Sequence, residues 1–410
     1  MARPRTITDD KKLLIALMHT ERHMTKKEIA AHFTISPSAV TKVIQECFAE
    51  GRLRLVFNRD GLSAQELDLL QTTVTGAAEL RDRLAKLPKD DDAVIQDPEV
   101  RVFDSGCAET TPAAWATRLE IFGRAVAPYL GDLISGARVV GTSWGETFAS
   151  VVRALAERPP RRPKRPIQFF GLCGEMLQGP PRKVSASSLA QQLDLIVNAD
   201  PAHSHSYWLA GVPSRLPEPG RDKQEGLTAE ECEAVRHYIR LLPGYRKVFG
   251  AQSGSSPLND AEKPLVDRAD LILTSCSPKG RPLGYGGGPE LRAAGLSLSD
   301  AHRLLVGDIS GYLLKDPAGK DRGGRVDAIN GRLVSVDLLR RLRACSARAL
   351  AGRGAGTVRC CIGANKAETV LEIVRLGLAA KLVLDLDLAG EMLRRLCSAV
   401  PPRPTRGRDS

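Results

Sequence analysis

The sequence predicts an α/β chain: an N-terminal winged helix-turn-helix followed by a Rossmann-like α/β/α domain with a mostly parallel sheet. Three observations carry that prediction. Ser36-Pro37 opens a helix with one apolar and one polar face. From about residue 94 onward, short apolar runs alternate with helical ones. Between Gly141 and Thr147 an apolar run passes through a Gly/Thr/Ser loop into a helix.

The N-terminal unit reads as follows. Residues 9–19 supply a supporting helix through Leu13, Leu14, Leu17 and Met18, and residues 26–32 a short helix with Ile29, Ala30 and Phe33 inward. Thr34-Ile35 makes a tight turn. Ser36 caps free amides and Pro37 suits the first helical position. Val40, Val43, Ile44, Cys47 and Phe48 follow at helical spacing, leaving Ser38, Thr41, Lys42 and Gln45 on the polar face. Gly51 ends the helix, and residues 52–57 alternate basic and apolar side chains as a small wing strand would.

A unit of this order places the polar face of its last helix in the major groove of double-stranded DNA. The DNA-contact candidates are Ser36, Ser38, Thr41, Lys42, Gln45, Arg52 and Arg54, whose donors and acceptors suit base edges and phosphates. A plain three-helix bundle used for protein contacts has the same periodicity. The Ser-Pro start and the basic strand favour DNA.

The remaining chain divides into a helical connector or oligomerisation segment (61–93), a large domain (94–400) and a disordered basic tail (401–410). Strands are expected at 100–103, 138–140, 167–172, 193–197, 271–274 and 381–384. Helices are expected at 115–130, 148–156 and 369–378. Ligands of such sheets sit at the carboxyl ends of the strands.

Composition bounds the function classes. A chain of 410 residues is too long for one small module. Aromatics make up only 4%, so aliphatic packing dominates the core. No run approaches the ~20 apolar residues of a membrane helix, and the N-terminus does not resemble a signal peptide. A cytoplasmic protein with no membrane partner is expected. The net charge of +11, of which the first sixty residues carry +4, permits a polyanionic partner. The nine cysteines form no CxxC pair and no zinc-finger spacing, so reduced, buried thiols are expected, with no metal and no cofactor.

Three loops carry the chemistry. At 141–147, glycines let the backbone approach a ligand, hydroxyls line the loop, and a helix N-terminus offers free amides to phosphate. No Gly-Lys-Ser/Thr follows, so this is not a Walker loop, and such loops also occur as plain turns. At 361–367, Lys366 sits at a helix start, where a cation is unfavourable unless an anion is present. At 306–311, Asp308 stands between two glycines, able to accept hydrogen bonds from sugar hydroxyls or simply to cap a turn.

Taken in order, these segments resemble the SorC family of bacterial sugar-responsive regulators. The likeness spans nearly the whole chain. It rests on Ile35-Ser36-Pro37-Ser38-Ala39-Val40, on Gly141-Thr142-Ser143-Trp144-Gly145-Glu146-Thr147, and on Phe170-Gly171-Leu172-Cys173-Gly174. It continues through Tyr207 to Pro213, Val306-Gly307-Asp308-Ile309-Ser310-Gly311, Gly363-Ala364-Asn365-Lys366-Ala367 and Leu382-Val383-Leu384-Asp385.

The resemblance implies an effector-binding domain similar to phosphosugar isomerases and deaminases, a phosphorylated sugar or polyol as effector, and a homo-oligomer, tetramer or dimer. Carried over, Gly141, Thr142, Ser143, Gly145 and Thr147 would hold phosphate, Lys366 would supply charge and Asp308 would hold hydroxyls. The chain departs from the family at Ser275-Cys276-Ser277, where glycines are usual, and in long stretches at 214–263 and 281–288. The competing expectation is a phosphosugar isomerase or deaminase fused to a DNA-binding module. Such chemistry needs a positioned acid/base pair. Asp308, Asp385 and Asp387 form no evident pair, and His203 and His205 lack the third ligand a zinc site needs.

Overall fold

The computed structural model describes residues 7–20, 24–49, 76–106, 111–175, 184–198, 206–207, 209, 212–216, 227–250, 263–280, 291, 296–321 and 323–398. The chain divides into two units, Met1–Leu67 and Asp68–Ser410.

The first unit holds helices Asp9–Thr20, Lys26–Phe33 and Pro37–Ala49. Thr25 and Glu28 form a reciprocal capping box at the start of the second helix, satisfying two otherwise orphaned amides. Thr34 ends it in the left-handed region at φ 54°, and this reversal directs the chain into the third helix. There the Ser36 hydroxyl accepts from the Ala39 amide at 3.1 Å, the expected cap. Val40, Val43, Ile44 and Cys47 pack against Ile29, Ala30, Ile15 and Met18.

The supporting helix is turned differently from the sequence expectation. Ile15, Ala16 and Met18 are buried, while Leu13, Leu14 and Leu17 are 45%, 43% and 44% exposed. The apolar run is nearly continuous, so its spacing does not fix the phase. The Lys12–Glu46 ion pair at 2.8 Å tethers the buried side to the third helix. The wing, including Arg52 and Arg54, lies outside the described residues.

The second unit is built on seven parallel strands: β1 (Glu99–Phe103), β2 (Val139–Thr142), β3 (Gln168–Gly171), β4 (Ser206–Tyr207), β5 (Leu271–Thr274), β8 (Gly356–Cys361) and β9 (Lys381–Asp385). Their order is β1-β9-β8-β5-β2-β3-β4. The remaining two strands, β6 (Leu305–Ile309) and β7 (Tyr312–Lys315), make a separate antiparallel hairpin.

Strands of a sheet covered on both faces are apolar throughout, and β2, β5 and β8 are buried at every residue. Successive side chains alternate between two cores. Phe170, Ile272, Cys361 and Leu384 belong to one, and Phe169, Leu273, Cys360 and Val383 to the other.

Helix Pro112–Ser135, capped by Thr111 and opened by Pro112, packs with helix Glu146–Glu157 against the second core. Helices Ala367–Arg375 and Leu386–Ser398 cover the first. No described helix is long and apolar enough to cross a membrane.

Two expectations are corrected. Residues 193–197 are not a strand but the end of helix Ala186–Val197, capped by the Ser185 hydroxyl. Leu189, Ala190, Leu193 and Val197 face the core at helical spacing, while Leu195 stays 57% exposed. Within the expected 61–93 connector, helix Ala77–Ala85 buries Leu80 and Leu84 in the core of the second unit.

The long 214–263 stretch is partly structural. Its helices Ala229–Leu241 and Pro243–Phe249 bury Ile239, Tyr245, Val248 and Phe249. Residues 281–288, His203, His205 and the 401–410 tail lie outside the described residues.

Candidate functional site

The sheet changes direction of growth at β2. From there β3 and β4 lie to one side and β5 to the other. A crevice at the carboxyl ends of such a switch point is the expected ligand site of an open α/β sheet. Four sequence-selected segments converge there.

From β2 come Ser143 and Trp144, followed by Gly145 and the start of helix Glu146–Glu157. Gly145 has φ 142°, a backbone setting that L side chains rarely adopt, and a Cβ on it would stand 3.7 Å from Ser275 Cβ. No side chain caps this helix start. From β5 come Ser275, Cys276 and Ser277.

The β6–β7 hairpin enters beside them. The Ser277 amide donates to the Asp308 carbonyl at 3.1 Å, and the Ser310 hydroxyl donates to Ser143 Oγ at 2.9 Å. Gly307 must be glycine, since a Cβ would fall 2.3 Å from the Ser277 carbonyl oxygen. Ser310 and Gly311, both with positive φ, make the two-residue turn, and Gly311 lies against the Trp144 ring. Asp308 is 1% exposed, and its carboxylate accepts from the Gly311 amide at 3.2 Å. Burial pushes the nearby Cys173 thiol up to about 12, and Asp308 adds to that rise.

The fourth segment follows β8. A short 3₁₀ turn, Ala364–Lys366, places Lys366 beside Cys276 and Cys361. Lys366 is only 8% exposed, yet its ammonium has no hydrogen bond or ion pair with another described residue. A buried cation that is faced by thiols and bonded to no described carboxylate is costly.

Sequence reasoning missed what holds this turn. Asp385, at the end of β9, is fully buried and accepts from the Gly363 and Leu388 amides, each at 3.1 Å. Its second oxygen accepts from the Arg118 guanidinium and from the Ser105 hydroxyl. Arg118 also pairs with Asp387 at 2.6 Å. This network fixes the loop that carries Lys366. Asp385 and Asp387 are therefore engaged as clamps rather than poised as an acid/base pair.

The expectation that Gly141 and Thr142 line the pocket is corrected. Both lie inside β2. A Cβ on Gly141 would strike the Phe170 ring at 2.6 Å, so this glycine admits packing. The Thr142 hydroxyl is fully buried and donates to the Ala186 carbonyl at 2.8 Å. Thr147 is buried in the first turn of helix Glu146–Glu157. Ser143, Gly145, Asp308 and Lys366 are the selected residues that lie in the loops gathered at the carboxyl end of the sheet.

In the first unit, Ser36, Ser38, Lys42 and Gln45 are exposed on one side of helix Pro37–Ala49, opposite its buried face. Thr41 is half-buried and donates its hydroxyl to the Pro37 carbonyl at 3.1 Å. Ser36 and Ser38 share a hydrogen bond of 2.8 Å. The freest side chains on this face are therefore Lys42 and Gln45.

No family model matches the chain, and no curated protein matches it. Solved structures do. The full-length sorbitol operon regulator SorC from Klebsiella pneumoniae is similar at 15% identity and a TM-score of 0.48, with 94% of this chain and 100% of that one covered. A DeoR family transcriptional regulator from Listeria monocytogenes is similar at 14% identity and a TM-score of 0.45, covering 77% of this chain and 99% of that one. A transcriptional regulator from Streptococcus pneumoniae TIGR4 is similar at 14% identity and a TM-score of 0.48, covering 78% and 98%. Identities and TM-scores this low assign no residue a role in this chain.

Proposed function

We propose that this chain is a transcriptional regulator in which a small phosphorylated sugar or polyol, bound at the carboxyl ends of β2, β5 and β8, controls DNA binding by the N-terminal helix-turn-helix. The observation that carries the reading is Lys366, a nearly buried ammonium with no hydrogen bond or ion pair among the described residues, at the carboxyl end of β8 and one strand away from the switch point. An anion at that place offsets its desolvation. The uncapped start of helix Glu146–Glu157 adds amides and a partial positive charge for phosphate. Ser143 and Gly145 shape the approach, and Asp308 offers acceptors to sugar hydroxyls. Lys42 and Gln45, with Ser36, Ser38 and Thr41, form the DNA face, and Arg52 and Arg54, outside the described residues, are further candidates for DNA contact.

Control requires only that the effector bind two states of the protein unequally. A dimer or tetramer in the cytoplasm suits the paired half-sites of helix-turn-helix readers. The enzyme reading is the weaker one, because Asp385 is held by Arg118 and two amides rather than poised to move a proton.

The test uses the full-length chain. Duplexes selected from a random pool give the bound sequence, and a panel of phosphosugars and polyol phosphates is added to the complex. At least one phosphorylated compound is expected to change the affinity, while its unphosphorylated parent does not. Selection of no sequence, or turnover of a panel member, refutes the reading.

A further inference from the structure

Cys276 and Cys361 stand at the same site with their sulfurs 3.5 Å apart. Strand register explains the approach. Thr274 and Arg359 are partners across β5 and β8, and two residues further along each chain come Cys276 and Cys361. Both side chains belong to the same core face, whereas Cys360 points to the other. Facing residues on adjacent parallel strands fall within the Cα separation a disulfide accepts.

The surroundings favour a thiolate. Ser275 Oγ is 3.9 Å from the Cys361 sulfur. Arg359, fully buried, donates to the Thr274 hydroxyl and the Leu378 carbonyl, and its Nε has no partner among the described residues. Lys366 is the second buried cation. The hydrogen bond from Cys276 pulls the Cys361 thiol below its ordinary value against the effect of burial, and Lys366, Ser275 and Arg359 act in the same direction.

We propose that Cys276 and Cys361 are an oxidation site, a thiol pair that peroxide closes to a disulfide. The thiolate sulfur attacks one peroxide oxygen. The O–O bond breaks, and the departing hydroxide takes a proton to leave as water. The sulfur of the second thiol then attacks the sulfenic sulfur. The S–O bond breaks, and that hydroxide takes the second thiol's proton as it leaves. Two thiols are oxidised, and one peroxide is reduced to two waters. Cys361 itself is fully buried, and the way in for peroxide is past Cys276, Ser275 and Lys366, which keep a few per cent of their surface open to solvent.

The disulfide is neutral, so it removes the negative charge beside Lys366 and leaves that cation more dependent on a bound anion. This consequence, unlike the disulfide itself, rests on the effector reading above.

Full-length protein is reduced, exposed to hydrogen peroxide, digested without reductant and mapped by mass spectrometry. A Cys276–Cys361 linked peptide that dithiothreitol abolishes is expected. In Cys276→Ser, dimedone is expected to trap a sulfenic acid on Cys361. If both thiols of the native protein stay free to alkylation, or if peroxide links Cys360 instead, the site is refuted. Inorganic phosphate is then titrated into both forms, with several-fold tighter binding expected after oxidation. A mapped disulfide with unchanged phosphate affinity refutes the coupling to Lys366. Phosphate binding to neither form refutes the effector reading and leaves the disulfide standing.

Discussion

The Ser310 hydroxyl reaches across 167 positions of sequence to donate to Ser143 Oγ at 2.9 Å. This bond joins the hairpin that carries Asp308 to the loop that precedes helix Glu146–Glu157. Both side chains are buried. Replacing Ser143 by Ala strands the Ser310 hydroxyl and is expected to cost about 1–3 kcal/mol of unfolding free energy. Replacing both by Ala removes donor and acceptor together and costs less than the sum. Denaturant unfolding of the two single variants and the double variant measures the coupling. Additive losses contradict it.

Arg118 and Asp385 form a buried ion pair, 6% and 0% exposed in their side chains. Arg118→Met leaves the carboxylate buried with amides and Ser105 but no cation. Breaking such a pair from one side costs about 3–5 kcal/mol. The thermal midpoint of Arg118→Met should fall well below that of Asp387→Asn, which removes only the half-exposed partner. Equal midpoints would remove Asp385 from the loop's support.

Glu99 gives the acid side of stability a specific contributor. Burial raises its carboxyl, but Lys381, Arg101 and Tyr129 overcome this and hold it below its ordinary value of 4.5. The folded state therefore prefers the ionised form. Its contribution is present above the unfolded value and is lost as pH falls through and below 4.5. Glu99→Gln should lower stability at neutral pH and show a shallower loss on acidification. A parallel pH profile in both proteins would exclude Glu99.

On the recognition helix, the combined change of Thr41, Lys42 and Gln45 to Ala is expected to abolish binding to the selected duplex while the circular dichroism spectrum stays unchanged. None of the three belongs to the buried face. Lys42→Ala alone should weaken all sequences alike and reduce the salt slope by about one. Full affinity in the triple variant would move the DNA face elsewhere.

Much of this was readable in advance, for physical reasons. β5 coincides with its apolar run because Leu271 to Thr274 is buried on both faces. Helix Pro37–Ala49 announced itself through its cap and its period. Residues 193–197 misled because Leu-Ile-Val is strand-like alone, and only the upstream cap at Ser185 reveals a helix. Leu13, Leu14 and Leu17 misled because a continuous apolar run hides its own phase.

The loops of the site were legible as Gly-rich strand ends, but their partners were not. Arg118 meets Asp385 only because β1 and β9 are neighbours, and Cys276 meets Cys361 only because β5 pairs with β8. Strand order is not written in local periodicity. A hydroxyl near glycine suggests a ligand contact at Thr142, whereas that hydroxyl serves the Ala186 carbonyl.

Lys366 offers the most direct test of the central claim. Thermal unfolding of the full-length protein and of Lys366→Met is followed with and without inorganic phosphate and the phosphosugar panel. The unliganded variant should be at least as stable as the native protein, because it no longer buries a cation that is bonded to no described carboxylate. The native protein should gain stability with phosphate or a phosphorylated ligand by mass action, and the variant should lose that gain. Equal ligand-induced shifts in the two proteins, or none in the native protein, would contradict an anion-binding site at Lys366.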